Sequence, residues 1–504
     1  MNNPDSPISM NRREFLAMTA TTAGAALAGS KLLGSDTAAA PAKPKRGEAV
    51  IAMPISTQPL FKPDLDRILE DMRVRGGVNV LMPFIYTHET HRAGVEPDFP
   101  KFRGGNYAIP HMQYYKDTSL TYEDMRATEF GNVDGLERVV AAGKKHGIKV
   151  YPWIIEDNHC PDIPRWQPLY EVDSHGRRST GHPAGPCKNN PGYQGYLSNL
   201  MEDYARSYDI GGFMWGAERQ SGFLNALSAG DSTRPDGGGR ATCFCEFCQK
   251  KAKDAGIDVA RAKLGFAELE KINRARQTKQ RPSDGYFSSF WRALMNYPEL
   301  LAWENLWVRG RHDLQAMLYA KVKSINPSLP IGWHIWQNVT FSPLQRAEED
   351  YAVYGKFSDF VRPAVYNNCG GERFRAFCGN GLGVVYGDLT PEETYNTLGR
   401  QLDRHEASYD KVTAAGFSAD YVQREVRRAV DGLTGTPTQV WPGIDIDVPV
   451  PAGTSICTPE GIKQALRGAF AGGATGVILS RNYIEMKPEN LTAAGDALRE
   501  LGVA

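Results

Sequence analysis

The sequence predicts an α/β fold, a (β/α)8 TIM barrel with long insertions in the loops after strands 2, 4 and 6. Three observations carry that reading. Eight short apolar or β-branched runs alternate with eight helical patterns along the chain. The runs are nearly continuously apolar, as parallel strands buried on both faces should be. The longest insertions, positions 89–132, 219–312 and 369–418, all follow strand ends, the face on which such barrels build active sites. A doubly wound sheet would be the competing architecture. It lacks support here, because no Gly-x-Gly-x-x-Gly follows the first run and no phosphate loop occurs.

The strands are expected at 49–56, 78–88, 148–157, 210–218, 330–338, 360–368, 438–447 and 477–485, each bounded by turn residues. Helical patterns fall between and after them, at 63–75, 133–146, 191–208, 313–325, 344–354, 419–433, 459–471 and 488–501. Asn190-Pro191 and Thr458-Pro459 each place a capping side chain before a proline at the first helical position. No sequence repeat or low-complexity block follows residue 47. The expected organisation is a single barrel over 43–504 with an insertion subdomain at about 219–312.

Residues 1–42 read as an address. Asn11-Arg12-Arg13-Glu14-Phe15-Leu16 is a twin-arginine pattern, followed by a weakly hydrophobic Ala/Gly/Thr-rich stretch and small residues suited to cleavage. The expected product is exported after folding, to the periplasm or beyond, which lets it load a metal in the cytoplasm. Lys+Arg and Asp+Glu both number 58, and this neutrality argues against a general nucleic-acid binder. An apolar share of 41% with 10% aromatics excludes a disordered chain. No run of 18 apolar residues lies beyond the N-terminus, so no internal membrane span is expected.

Ionisable and aromatic residues gather at the strand ends. They include Tyr86 and His88 on strand 2, Glu156, Asp157 and His159 on strand 3, and Trp215, Glu218 and Arg219 on strand 4. Strand 5 brings His334 and Trp336, strand 6 Tyr366, strand 7 Trp441, Asp445 and Asp447, and strand 8 Arg481, Tyr483 and Glu485. Acid groups at a barrel mouth serve no packing need, and flat aromatic faces between them suit the apolar faces of sugars. Glycosidic cleavage needs one protonated and one ionised carboxyl flanking the bond. Glu218, ending the apolar run Phe213-Met214-Trp215, is the first candidate for the acid/base. Its partner is sought in the order Asp445, Glu485, Asp447. Tyr86, Glu156, Asp157, Trp215, Arg219, His334, Trp336, Tyr366, Trp441, Asp447, Arg481 and Tyr483 are expected to shape the substrate site, with Arg481 suited to an ionised carboxylate or a substrate acid group.

Eight cysteines occur, and Cys243, Cys245 and Cys248 form a C-x-C-x-x-C cluster. Three thiolates so close suit a tetrahedral zinc completed by one more ligand. Disulfides are the alternative that export permits, but local bridges at these spacings are strained and three sulfurs cannot pair among themselves. Cys187 is the first candidate for the fourth ligand and Cys160 the second, making a closed structural site. Cys369 and Cys378 flank a Gly-rich loop and could form a disulfide, leaving Cys457 unpaired. No organic cofactor is expected.

Glu218 at the end of strand 4, followed by that cysteine cluster, resembles the glycoside hydrolase family 42 β-galactosidases. The resemblance implies a barrel with zinc on the cysteines and a sugar substrate. The chain also resembles twin-arginine-exported, glycoside-hydrolase-like bacterial proteins through Asn189-Asn190-Pro191, Met214 to Gln220, Thr242 to Cys248 and Leu479 to Met486. It departs from family 42 in having Ala217 before Glu218 where the family has Asn. At strand 7 it carries Asp445 and Asp447 where the family has a nucleophilic Glu. The family's additional C-terminal domains are also not expected. Together the residues predict hydrolysis of a glycosidic bond in a poly- or oligosaccharide, with Glu218 protonating the leaving oxygen and Asp445 or Glu485 acting as nucleophile or base. Two rivals stand beside it. One is a metal-dependent sugar lyase or isomerase using His88, His159 and His334 with Glu156, Glu218 and Asp445. The other is a catalytically silent carbohydrate-binding barrel.

Overall fold

The computed structural model describes residues 47–87, 105–127, 131–156, 163–178, 185–228 and 241–504. The leader 1–42 lies outside them, as do His88, Asp157, His159 and Cys160.

Eight parallel strands close on themselves. They are β1 (Val50–Ile55), β2 (Val80–Thr87), β3 (Trp153–Glu156, with Lys149–Val150 leading in), β4 (Phe213–Ala217), β5 (Ile331–Ile335), β6 (Phe360–Pro363), β7 (Gly443–Asp445, with Gln439–Val440 leading in) and β8 (Gly476–Ser480). β1 pairs with β2 and with β8, and the ladder runs β2–β3–β4–β5–β6. The Gln439–Val440 lead-in and an Ala364–Gly443 bridge join β6 to β7, and β7 pairs with β8. The closed (β/α)8 barrel of the sequence reading is therefore present.

Strand parity sorts the side chains into two cores. Facing outward, Ile51, Leu81, Ile154, Trp215, Trp333, Val361 and Val477 pack against the helices. Facing inward, Ala52, Met82, Trp153, Met214, Phe360 and Ile478 fill the barrel. Gly332 makes that filling possible, since a Cβ there would sit 2.1 Å from the Phe360 ring. Phe360 and Trp441 stack at 3.8 Å as an apolar plug inside the barrel. Truncating such a ring costs about 3–5 kcal/mol.

The outer helices follow their capping signals. α1 (Leu65–Gly76) ends at Gly77 in the left-handed region, and α2 (Gly135–His146) begins on Asp134, whose carboxylate accepts from Leu136 and Glu137 N–H. α3 (Pro191–Ser207) starts on Asn190 with Pro191, as its sequence predicts. After β4 come α4 (Glu246–Asp254), α5 (Val259–Gln277), α6 (Tyr286–Asn296) and α7 (Glu299–Ile325). α7 starts at Glu299, not Asp313, so it reaches into the expected insertion subdomain. Its early turns carry a buried face of Leu300, Trp303, Trp307 and Leu314 that Gly310, Arg311 and His312 disguise in the sequence. The pattern at 344–354 breaks into Pro343–Glu348 and Tyr351–Tyr354. α8 (Gly370–Asn380), α9 (Pro391–Gln401) and α10 (Ala419–Gly432) follow β6, α11 (Pro459–Ala471) follows β7, and α12 (Pro488–Glu500) follows β8. Among the described residues no helix is long and apolar enough to cross a membrane.

Candidate functional site

Above the aromatic plug the inward positions turn polar. Gly216, His334 and Arg362 continue the parity of Met214, Gly332 and Phe360, and with Glu218 they line a cleft of about 630 Å³. Trp153, Tyr366, Arg373 and Arg481 share its wall. Gly216 is needed here, because a Cβ would lie 2.8 Å from Trp153 Nε1 and 3.4 Å from His334 Cβ. Two charged or titratable residues inside a barrel demand partners, and they find each other.

His334 is the hub. Its Nε2 lies 2.8 Å from Glu218 Oε1, and its Nδ1 lies 2.6 Å from Arg362 Nη1. A guanidinium can only donate, so Nδ1 accepts and the ring proton sits on Nε2, aimed at Glu218. Burial, then the Arg362 charge, pushes His334 below the ordinary imidazole range, while the Glu218 bond opposes them. The ring is therefore neutral near pH 7. Arg362 is itself fixed by Nη2 donating to Tyr366 Oη at 2.5 Å and to Ser480 Oγ at 2.7 Å, and it lies over the Trp153 ring at 5.1 Å. Glu218 is the tip of this relay, with half of its side-chain surface exposed.

Of the residues expected at the site, Glu156, Glu218, His334, Tyr366 and Arg481 line the cleft. Glu156 is fully buried and ion-paired to Arg219, which also reaches Glu171 at 2.7 Å. Gly185 leaves the space in which that guanidinium sits. Arg219, Trp215 and Trp336 instead line a second cavity of about 490 Å³, between the ends of β4 and β5 and α7, which meets the cleft at His334. Trp215 has outward parity and packs edge-on against Trp333. Tyr86 packs against Tyr196 of α3, and Trp441 belongs to the barrel plug.

The three second-carboxylate candidates lie off the cleft wall. Asp445 is buried, accepting from Cys369 N–H at 3.0 Å and Val448 N–H at 3.2 Å. Burial raises its pKa against those bonds. Glu485 is ion-paired to Arg481 at 2.6 Å. Asp447 accepts from Lys487 N–H and Asn490 Nδ2, both at 2.9 Å, from a left-handed backbone. Tyr483 donates to Asp71 on α1.

Beside the cleft, Cys187, Cys243, Cys245 and Cys248 bring their sulfurs within 4.8 Å of one another, all buried, and could bind a metal ion. Cys187 Sγ lies 3.4 Å from Cys248 Sγ and 3.5 Å from Cys245 Sγ. Sulfurs at about 2.3 Å from a tetrahedral zinc would stand roughly 3.8 Å apart, so the donor set fits with small adjustment. Val172 N–H and Asn189 Nδ2 point at Cys243 and Cys248 sulfurs, as they would at thiolates. Burial pushes the Cys243 thiol up, whereas the hydrogen bond from Cys187 leads those holding Cys245 down. Cys369 and Cys378 are free thiols, which corrects the expected disulfide, and Cys457 is free as well. Cys457 Sγ sits 3.4 Å from Asp445 Oδ1, while Cys378 is buried on α8.

Arg362, Trp153 and Arg373 are cleft residues that the sequence reading missed. Arg362 had a signal, a lone cation inside the apolar run Phe360-Val361-Arg362-Pro363. Trp153 shares the parity of Tyr151 and Ile155. Arg373 arrives from α8 by tertiary packing and carries no strand-end signature.

No protein-family profile matches the chain, and no curated protein matches its sequence. Among solved structures it is similar to the PgaB (BpsB) glycoside hydrolase domain from Bordetella bronchiseptica, at 15% identity and TM-score 0.47, covering 90% of this chain and 99% of that one. It is similar to a β-galactosidase from the psychrophilic Marinomonas ef1, at 11% identity and TM-score 0.49, over 90% of this chain and 61% of that one. It is also similar to a GH42 β-galactosidase from G. stearothermophilus, at 10% identity and TM-score 0.47, over 92% of this chain and 58% of that one. The chain is thus distantly similar to glycoside hydrolases, while its barrel assignment stands on its own strand pairing.

Proposed function

We propose that the chain is an exported glycoside hydrolase that cleaves a poly- or oligosaccharide at the barrel mouth, with Glu218 as proton donor to the glycosidic oxygen. One observation carries the reading. Glu218 is a half-exposed carboxyl in the cleft, held at one oxygen by a neutral histidine that a buried arginine orients. Glycosidic cleavage needs a carboxyl so fixed beside a bound sugar. Trp153 and Tyr366 supply ring surface on the same wall. In this reading Asp445 and Glu485 act by positioning. Asp445 holds the backbone after β6 and β7, and Glu485 orients Arg481. The cysteine cluster takes a structural zinc that fastens the loop carrying Glu171 to the insertion after β4. The twin-arginine leader directs the folded product out of the cytoplasm.

The test is a polysaccharide digest with products read by mass, comparing wild type with Glu218→Gln and Asp445→Asn. Glu218→Gln should lower turnover by about 10²–10⁴-fold at unchanged unfolding temperature. Asp445→Asn should lower the unfolding temperature as well as activity. Equal products from wild type and Glu218→Gln would remove Glu218 from the mechanism.

A further inference from the structure

Among the described residues the charges lining the cleft do not cancel, and the imbalance describes the ligand. Glu156 and Arg219 face each other with Glu171 behind, and Arg481 is matched by Glu485. What is left among the described residues is two guanidiniums, Arg362 and Arg373, with neutral His334 standing between Arg362 and Glu218, the proposed proton donor. Among the described residues no carboxylate lies within ion-pair distance of either arginine. Arg362 is consumed by the relay beneath Glu218. Arg373 is not. It is half-buried on α8, stands over the Tyr366 ring at 5.6 Å, and donates Nη1 to the amide oxygen of Gln337 at 2.9 Å. A guanidinium held by an aromatic face and a neutral amide has no ion-pair partner among the described residues, although its charge reaches the buried Asp445, and its planar fork matches a carboxylate or sulfate.

We propose that the cleft takes an anionic sugar, its carboxylate or sulfate ester seated on Arg373 beside the Tyr366 ring. The inference rests on the reading of the cleft as a sugar site and adds the class of sugar. A neutral hexose would leave Arg373 facing an uncharged hydroxyl set. An acidic residue would offset the Arg373 charge while keeping Glu218 clear of a competing ion pair.

The experiment uses three probes on the mature protein: uronate oligosaccharides, their carboxyl-reduced neutral counterparts, and a sulfated oligosaccharide of the same backbone. Binding is measured by calorimetry on Glu218→Gln, and cleavage on wild type. The anionic ligand should bind about tenfold to hundredfold tighter than its neutral counterpart, and the preference should weaken with salt. Arg373→Gln should bring the two affinities together at unchanged unfolding temperature, and Arg373→Lys should keep part of the preference. Whether the uronate or the sulfate arm responds identifies the anion. Equal affinity for anionic and neutral ligands, a preference that survives Arg373→Gln, or no binding of any probe overturns the proposal. Neutral sugars cleaved without preference would sink the anion site and leave the hydrolase reading standing. Anionic sugars bound through Arg373 but never cut by wild type would do the reverse.

Discussion

Two cavities meet at His334, and they resolve opposite charge problems differently. Among the described residues the cleft has a surplus of arginine, in Arg362 and Arg373. The second cavity has Glu348 and Glu349 on its wall, and a cluster of buried acids gathers beside it. Glu304 of α7 and Glu348 at the end of Pro343–Glu348 approach one another, and Glu349 is matched by Arg311. In this buried cluster the solution is a proton. Burial raises Glu304 to about 7, and burial with the neighbouring Glu304 charge raises Glu348 to about 10. In the cleft no loss of a proton can remove a guanidinium's charge, because arginine does not titrate in the accessible range. A surplus of acid can settle itself inside a fold, whereas a surplus of arginine calls for a ligand. The four sulfurs show a third route, since a divalent metal would satisfy the charge of buried thiolates.

The sharpest way to break the comparison is to remove the ion that, after burial, does most to keep His334 neutral. Arg362→Met takes away both the Nδ1 donor and the positive charge, so the His334 pKa should rise toward its ordinary value near 6.5. The sign follows from a lowered folded pKa. In wild type the contribution of neutral His334 to stability is full above about 6.5 and is lost as pH falls through the lower folded value. In the variant that acid-side loss should shrink, while the acid limb of the activity profile moves to higher pH. Histidine NMR titration and a pH–rate profile read the two effects. An unmoved acid limb with an unmoved His334 resonance would break the relay.

Metal removal tests the third route and should act next most strongly. Zinc should co-purify at about one per chain, and chelation should lower the unfolding temperature by more than about 5 °C. Activity should fall with it through a traceable chain of contacts. Val172 N–H bonds Cys243 Sγ, the adjacent Glu171 holds Arg219, and Arg219 holds Glu156 on the cleft wall. Cys243→Ser should reproduce the loss. A chain purified without metal and with unchanged unfolding behaviour would remove the metal from the cluster.

The barrel was legible because parallel strands buried on both faces leave a one-dimensional signature, and their count survives errors at their ends. The cysteine set was legible because three of its members are close in sequence, and Cys187 lies just ahead of a helix with a readable cap. Glu218 and His334 were readable as strand-end residues, although only parity separates Glu218 from Trp215, which turns outward. Tyr86 and Trp441 mislead for the same reason, since an aromatic at a strand end serves a core as readily as a sugar. Asp445 has inward parity but is covered by Cys369 and Val448, and no strand pattern reveals what a later loop will cover. Arg373 was beyond reach, because its place depends on how α8 packs over Tyr366.

The smallest expected effect lies in the acid-rich cluster, and it separates the two charge solutions most directly. Glu304 and Glu348 each have a folded pKa above the unfolded carboxyl value of 4.5. Groups raised in this way favour the fold at acid pH relative to neutral. Their contribution is fully present below 4.5 and is lost as pH rises through the folded value, about 7 for Glu304. Glu348→Gln keeps a hydrogen-bonding side chain of the same size and removes one of the two acids. It should leave the unfolding temperature nearly unchanged at pH 4 and raise it at pH 8 by on the order of 1–2 °C. Turnover should be unaffected, because Glu348 is not on the cleft wall. A thermal series from pH 4 to pH 8 reads the result. A variant destabilised equally at both ends would mean that the pair carries no shared proton and that the cluster holds its acids ionised, as the cleft holds its arginines.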